Sequence, residues 1–260
     1  MCGRYASSRR PEDLVEEFEV EQAELPAALP ADYNVAPTKE VYAVLERPPR
    51  PERDRPQQRQ LRVLTWGLVP SWAKDPSVGS RMINARVETV AEKPAYRKAF
   101  AARRCLLPAD GYFEWYTPES DAAEDRPPEA PRGKPRKQPF FIRPADGSVL
   151  AMAGLYEIWR DPTRAEDDPA RFRWTCTVLT TSAEDDLGRI HDRMPLLVDR
   201  EEYGAWLDPT VSEPDALRRL LVPAAPGRLE AYPVSTLVNN VKNNGPELVT
   251  PLAADTGTQA

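Results

Sequence analysis

The chain has 260 residues, 41% of them hydrophobic and 29% charged, with a formal net charge of −6. This is the make-up of a soluble globular protein, long enough for one large core or two small ones. With no apolar run of membrane-spanning length and no charged segment leading into an apolar one near the start, neither a membrane-spanning helix nor a secretory leader is expected, and the acidic balance argues against a protein that coats long duplex tracts, which needs a basic surface to neutralise phosphates.

Met1-Cys2-Gly3-Arg4-Tyr5 opens the chain. A small second residue allows an initiator methionine to be removed, which would give Cys2 a free α-amine and a thiol on adjacent carbons. The amine, with a pKa of about 7.7–8.0, is partly unprotonated near neutrality, and the thiol, at about 8.5, ionises more readily beside a cation such as Arg4. A 1,2-aminothiol adds to an aldehyde twice: the amine forms an imine, and the sulfur closes a thiazolidine. The same residues also fit an ordinary start followed by a buried cysteine, and the rest of the chain decides between the two. Cys2, Cys105 and Cys176 are odd in number and far apart, so neither a disulfide framework nor a metal site is expected, and a reducing, cytoplasmic setting fits.

Pro11–Val20 reads as a short amphipathic helix with Leu14, Val15 and Phe18 on one face. Tyr33–Thr38 is turn-rich and leads into a strand, Val41–Leu45. Residues 47–60 carry Pro and Arg and read as a hairpin loop or disordered tip. Leu61–Val69 returns as a strand and is followed by Ser71-Trp72. Beyond Arg81–Thr89 a helix is expected, with Thr89 as N-cap, Glu92 completing a capping box, and Tyr96 and Phe100 on its buried face. Cys105–Pro108 and Tyr112–Tyr116 form two strands around Ala109-Asp110-Gly111. Residues 117–138 and 160–171 are polar insertions. Pro139–Arg143, Val149–Trp159 and Trp174–Thr181 read as strands. Ser182–Leu187 reads as a helical turn, and Asp199–Leu207 and Ser212–Leu221 as helices with their own N-caps. Val234–Pro251 consists of short apolar pieces around an Asn-rich turn.

Two polar residues ask for an explanation. Alternation places Tyr112, Glu114 and Tyr116 on one strand face, and an acid in so aromatic a strand is either a salt-bridged core carboxylate or a catalytic one. His191 is the single His of the chain, in Ile190-His191-Asp192-Arg193-Met194-Pro195. A lone His is commonly structural, but this setting suits an exposed loop and a working acid or base.

The motifs Met1–Tyr5, Tyr33–Thr38, Trp66-Gly67-Leu68-Val69-Pro70, Asn84-Ala85-Arg86 with Glu88-Thr89, Cys105–Pro108, Gly111–Trp115 and Ile190–Pro195 occur in the order seen in the SRAP family (SOS response-associated peptidase), which the chain resembles from Cys2 to about Pro251. The resemblance implies one α+β domain over residues 2–253, built on a curved, mostly antiparallel, barrel-like sheet with peripheral helices, and a flexible tail at 254–260. It implies a DNA-damage protein that links covalently to abasic sites in single-stranded DNA and shields them, with reversal, AP-lyase or peptidase activity besides. It is expected to need no cofactor, to act as a monomer away from membranes, and to join the nucleoid on DNA damage.

By this resemblance Cys2 supplies both nucleophiles and Asn84 positions the N-terminus or the sugar. Glu114 moves protons at the amine and imine, and His191 protonates the sugar ring oxygen. Arg4, Arg86 and Arg193 are expected to hold phosphates, with Asn34 also in the DNA groove. Trp66 and Trp72 either stack on unpaired bases or, for Trp66, pack in the core. Two other classes stay open: an N-terminal-nucleophile hydrolase or peptidase acting on an amide, and a DNA-binding module in which Cys2 is incidental.

Overall fold

The computed structural model describes residues 2–47, 57–117, 137–183, 185–222 and 227–253. Through them run β1 (Tyr5–Ser7), β2 (Gln22–Glu24), β3 (Asp32–Val35), β4 (Glu40–Arg47), β5 (Gln58–Trp66), β6 (Asn84–Arg86), β7 (Arg104–Ala109), β8 (Gly111–Tyr116), β9 (Gln138–Pro144), β10 (Leu150–Arg160), β11 (Phe172–Ser182), β12 (Arg193–Pro195) and β13 (Leu229–Pro233). The helices are short: α1 (Pro11–Glu17), α2 (Arg97–Ala102), α3 (Tyr203–Leu207) and α4 (Pro214–Arg219).

Five strands close into a ring. β5, β4, β7, β10 and β11 pair antiparallel in that order, and β11 returns to β5 through the parallel pairs Thr175–Thr65 and Cys176–Trp66. Strand alternation decides what lies inside. Val41, Ala43, Leu45, Leu64, Trp66, Cys105, Leu107, Met152, Tyr156, Cys176 and Val178 share one buried cluster. A second antiparallel sheet, β13-β9-β8-β1-β3, adds Tyr5, Tyr112 and Ile142 to the same cluster. Its other face carries Phe113 and Phe141, covered by Val234, Val238 and Leu248. The barrel-like α+β fold expected from the resemblance is therefore present, with parallel pairs only at β5–β11, β6–β11 and β2–β5 among the described residues.

The helices cover the outside of the ring. Leu14 and Phe18 of the α1 region are buried there, and Phe18 stacks on Tyr203 with ring centroids 5.2 Å apart. Arg104 is buried and ties two helix ends down: its guanidinium donates to Phe100 O, Ala101 O, Trp206 O and Asp208 O. Phe100, Ala101 and Trp206 lie in the last turns of α2 and α3, where carbonyls lack an intrahelical partner, which is why a buried cation is stable here.

Some local expectations need correction. The helix expected directly after Thr89 is a run of turns over residues 87–92, and α2 begins only at Arg97. Pro94 lacks an N–H and clashes with a preceding helical carbonyl, so the capping-box pattern cannot propagate. Tyr96 and Phe100 are still buried. Asp199 opens a 3₁₀ turn, Arg200–Glu202, without a side-chain cap, and α4 is entered from Glu213 rather than Ser212. In the polar stretches, Arg47 and Gln58–Gln60 belong to the β4–β5 hairpin, while 48–56, 118–136 and the tail at 254–260 lie outside the described residues. The 160–171 stretch is held by ion pairs of Asp161 with Arg164 and Arg173, and of Arg164 with Asp168.

The closure of the ring depends on Gly67. Its φ of +136° lies in the region that favours glycine, and a Cβ there would sit 2.6 Å from Gly79 O. Gly67 N donates to Cys176 O at 2.8 Å, so any shift opens the β5–β11 seam. Gly67→Ala is expected to lower unfolding free energy by on the order of 3 kcal/mol, read by urea denaturation. A change below about 0.5 kcal/mol would show that the seam yields without cost.

Candidate active site

Strand β1 carries Cys2 to the ring. Tyr5 pairs with Tyr112, and Phe113 N donates to Arg4 O at 2.9 Å. One step further in that antiparallel register sets Gly3 against Glu114, with Cys2 beside it. Cys2 is fully buried, and its carbonyl accepts a hydrogen bond from Asn84 Nδ2 at 2.8 Å.

Asn84 is fixed from several sides. It begins β6, which runs along β11 with Asn84 opposite Val178. Trp66 Nε1 donates to Ile83 O at 2.9 Å, and Tyr96 Oη to Asn84 O at 3.3 Å. β6 takes up the edge of β11 just where β5 leaves it, after the excursion from Gly67 to Ile83. The motifs around Trp66 and Asn84 are thus two parts of one seam.

Glu114 is buried on the face of β8 that turns toward the ring, as alternation predicts. Burial raises its carboxyl from the ordinary 4.5 to about 7. Burial also pushes the Cys2 thiol well up, and the negative charge of Glu114 adds to this. His191 sits in the loop before β12, and burial lowers its imidazole, with Asp192 opposing. Glu114 acts on Cys2, and Asp192 on both Glu114 and His191, so the groups share one electrostatic neighbourhood. One cause shifts all three toward the uncharged form.

The His191 ring has a defined neutral tautomer. Arg193 N–H donates to its Nδ1 at 3.0 Å, so the neutral ring carries its proton on Nε2. Protonated at Nδ1 as well, it can turn to Asp192 Oδ1, 2.9 Å away. Asp192 and Lys137 were not singled out in the sequence as working groups, although both charges reach Glu114 and His191.

The expected DNA-contact residues divide. Trp72 is 64% exposed on a turn pinned by Trp159 Nε1 donating to Ala73 O at 2.7 Å. Arg86 is exposed at the end of β6. Both remain available to a strand. Trp66 is fully buried and packs edge-on against Tyr5, so of its two readings core packing holds. Asn34 is fully buried, and its Nδ2 donates to Val238 O, Asn240 O and Asn243 O. It locks the Asn-rich turn, with its amide turned away from solvent. Arg4 NH1 donates to Asn34 Oδ1 at 2.7 Å and Val238 O at 2.8 Å, with its guanidinium over Trp115. It belongs to that lock, and Arg4 is not among the charges acting on the Cys2 thiol. Arg193 forks onto Glu88 and donates to Thr180 O, which makes it a staple between β12, β11 and the segment after β6.

The family model described as SOS response associated peptidase (SRAP) matches residues 1–241. The abasic site processing protein YoqW of Bacillus subtilis (strain 168) is 37% identical over 249 residues, 96% of this chain and 99% of the relative. The abasic site processing protein YedK of Escherichia coli (strain K12) is 33% identical over 257 residues, 97% of this chain and 100% of the relative. A crystal structure of a protein from Bacteroides thetaiotaomicron shares the fold, with a TM-score of 0.74 at 23% identity, covering 97% of this chain and 100% of that one.

Glu114 makes stability depend on pH. Between its ordinary 4.5 and about 7, the folded protein keeps a proton that the unfolded chain has lost, so stability falls as pH rises through that window. The raised pKa corresponds to on the order of 3 kcal/mol. Glu114→Gln cannot ionise and should flatten this part of the curve, making the variant more stable than the parent at pH 8 relative to pH 5. Parallel pH–stability curves for the two proteins would place the Glu114 carboxyl near its ordinary value.

Proposed function

Because the chain belongs to the SOS response-associated peptidase family, we propose that it processes abasic sites in single-stranded DNA by linking Cys2 covalently to the opened sugar. The observation that carries this reading is the hydrogen bond from Asn84 Nδ2 to Cys2 O, which fixes the first residues of the chain beside a buried carboxyl whose pKa is near neutrality.

The chemistry follows from the groups present. An abasic sugar exists partly as an open-chain aldehyde at C1. With Met1 removed, the Cys2 amine attacks that carbon, and the carbinolamine loses water to give an imine. The thiol then adds to the imine carbon and its proton ends on nitrogen. One C–N and one C–S bond form, and the carbonyl oxygen leaves as water. The thiol is held protonated by burial, so sulfur attack needs a proton acceptor, and Glu114 is poised both to accept and to return a proton. His191 protonates the ring oxygen as the sugar opens and serves the reverse step. An imine not captured by sulfur can undergo β-elimination, which is the lyase side reaction. Trp72 and Arg86 would receive a base and a phosphate beside the sugar. Single-stranded substrate follows from the need to swing the sugar into a buried site. An amide-cleaving reading needs a thiolate at Cys2, and burial works against one.

The amine and the thiol can be tested separately. Parent, a permanently N-terminally extended form and Cys2→Ala are incubated with abasic single-stranded DNA and run on a denaturing gel. Only the parent should give a heat-stable shifted band; Cys2→Ala should give an imine trapped by borohydride, and strand cleavage. A heat-stable band from the extended form overturns the thiazolidine. His191→Ala should slow both formation and reversal of the parent adduct by about 10²–10⁴-fold. Unchanged rates would remove His191 from the mechanism.

A further inference from the structure

Two walls meet at the Cys2 site. One is the ring, where β6 runs along β11 with the exposed Arg86 opposite Thr180. The other is the second sheet, where β8 sets Glu114 opposite Phe140 of β9. The hydrogen bond from Asn84 Nδ2 to Cys2 O ties the two walls together. The cations around this junction differ in what they can still offer. Arg4 is engaged by Asn34 Oδ1 and Val238 O, and Arg193 by Glu88 and Thr180 O. Lys137 is different. It stands just ahead of β9, one residue before Gln138, the partner of Tyr116. It is exposed, and its ammonium has no hydrogen bond or ion pair among the described residues. The neighbouring Gln138 side chain is turned toward the β13 edge of β9, where its Nε2 donates to Pro139 O and Val234 O. The positive charge of Lys137 acts on both Glu114 and His191, which come from β8 and from the loop before β12. A charge felt by both groups lies at the rim of the site they share.

We propose that Lys137 holds the phosphate on one side of the abasic sugar, across the site from Arg86, which takes the phosphate on the other side. The proposal rests on the abasic-site reading. A sugar inside a strand carries a phosphate on each side, so a sugar seated at Cys2 brings two negative charges against a body of net charge −6. Arg86, on the ring wall, meets one of them. The other comes to lie against the second sheet, and Lys137 brings an unengaged cation to that wall. An ammonium on a flexible stem binds phosphate as a point charge and needs no fixed fork geometry, which suits a residue at the open end of a strand. Lys137 takes no part in the bond-making steps at Cys2; it holds the substrate in which they occur.

The test uses a single strand of about 12 nucleotides with a tetrahydrofuran in place of the abasic sugar. This analogue lacks the aldehyde and reads binding without chemistry. The strand is made in three forms: fully charged, with an uncharged methylphosphonate on the 5′ side of the tetrahydrofuran, and with one on the 3′ side. Lys137→Gln should bind the fully charged strand about 3–10-fold more weakly than the parent, with the slope of log affinity against log salt reduced by about 0.7. Lys137→Arg keeps the charge and should keep the parental slope. Each methylphosphonate should weaken binding to the parent, and one of the two should have no further effect in Lys137→Gln, because the same contact cannot be lost twice. Thermal melting checks that each variant is folded. Folded Lys137→Gln with parental affinity and salt slope overturns the proposal. So does a weakened Lys137→Gln in which both methylphosphonates keep their full effect, since Lys137 then acts only through the general field of the protein. Failure of the parent to crosslink a true abasic strand overturns the abasic-site reading instead, and the methylphosphonate comparison still decides whether Lys137 holds a phosphate. A parent that binds none of the strands overturns both.

Discussion

The parallel seam between β5 and β11 is the constraint on which the rest depends. Two residue pairs close five strands into a ring, and the same edge of β11 then receives β6 and with it Asn84. Gly67 makes the seam possible by bringing its backbone against Gly79, and Trp66 secures it by donating to Ile83 O. A ring this narrow is filled by its own side chains. Chemistry therefore has to occur at a mouth, and the mouth chosen is the one where the N-terminal strand enters beside β8.

Burial then sets the character of the site. In water, Glu114 would be ionised and His191 partly protonated near pH 7. Out of water, the carboxyl rises to about 7, the imidazole falls, and the thiol rises, so the groups approach a reaction with little net charge. The carboxyl, near neutrality, can both take up and release a proton close to physiological pH. The arrangement suits a reaction that must move protons on and off nitrogen, sulfur and oxygen in turn.

Much of this was legible in the sequence, and the failures have physical causes. The alternation of Tyr112, Phe113 and Glu114 told which way the acid faces, because a strand allows two directions only. The clustering of Cys2, Asn84 and Glu114 followed from the resemblance rather than from any periodicity. For Trp66, Asn34, Arg4 and Arg193 the intramolecular partners were not legible, because residue type alone does not show which part of the chain an indole, amide or guanidinium meets. Asn34 serves backbone carbonyls at 238, 240 and 243, partners over two hundred residues away. The cluster of Asn residues at 239–244 was the available signal, since side-chain amides commonly satisfy irregular backbone. The helix after Thr89 failed because Pro94 outweighs a capping box. The place of Lys137 was invisible, because it comes near Glu114 and His191 only when β9 pairs with β8 and the loop before β12 folds against them.

The central claim is that one carbon of the sugar ends bonded to both nitrogen and sulfur of Cys2. Abasic single-stranded DNA labelled with ¹³C at C1 of the sugar reports this directly by NMR of the intact adduct. The account predicts a saturated-carbon signal of a centre bearing nitrogen and sulfur, coupled to ¹⁵N when Cys2 is labelled. A signal in the imine region, or a centre bearing sulfur and oxygen without coupling to the Cys2 nitrogen, would contradict it.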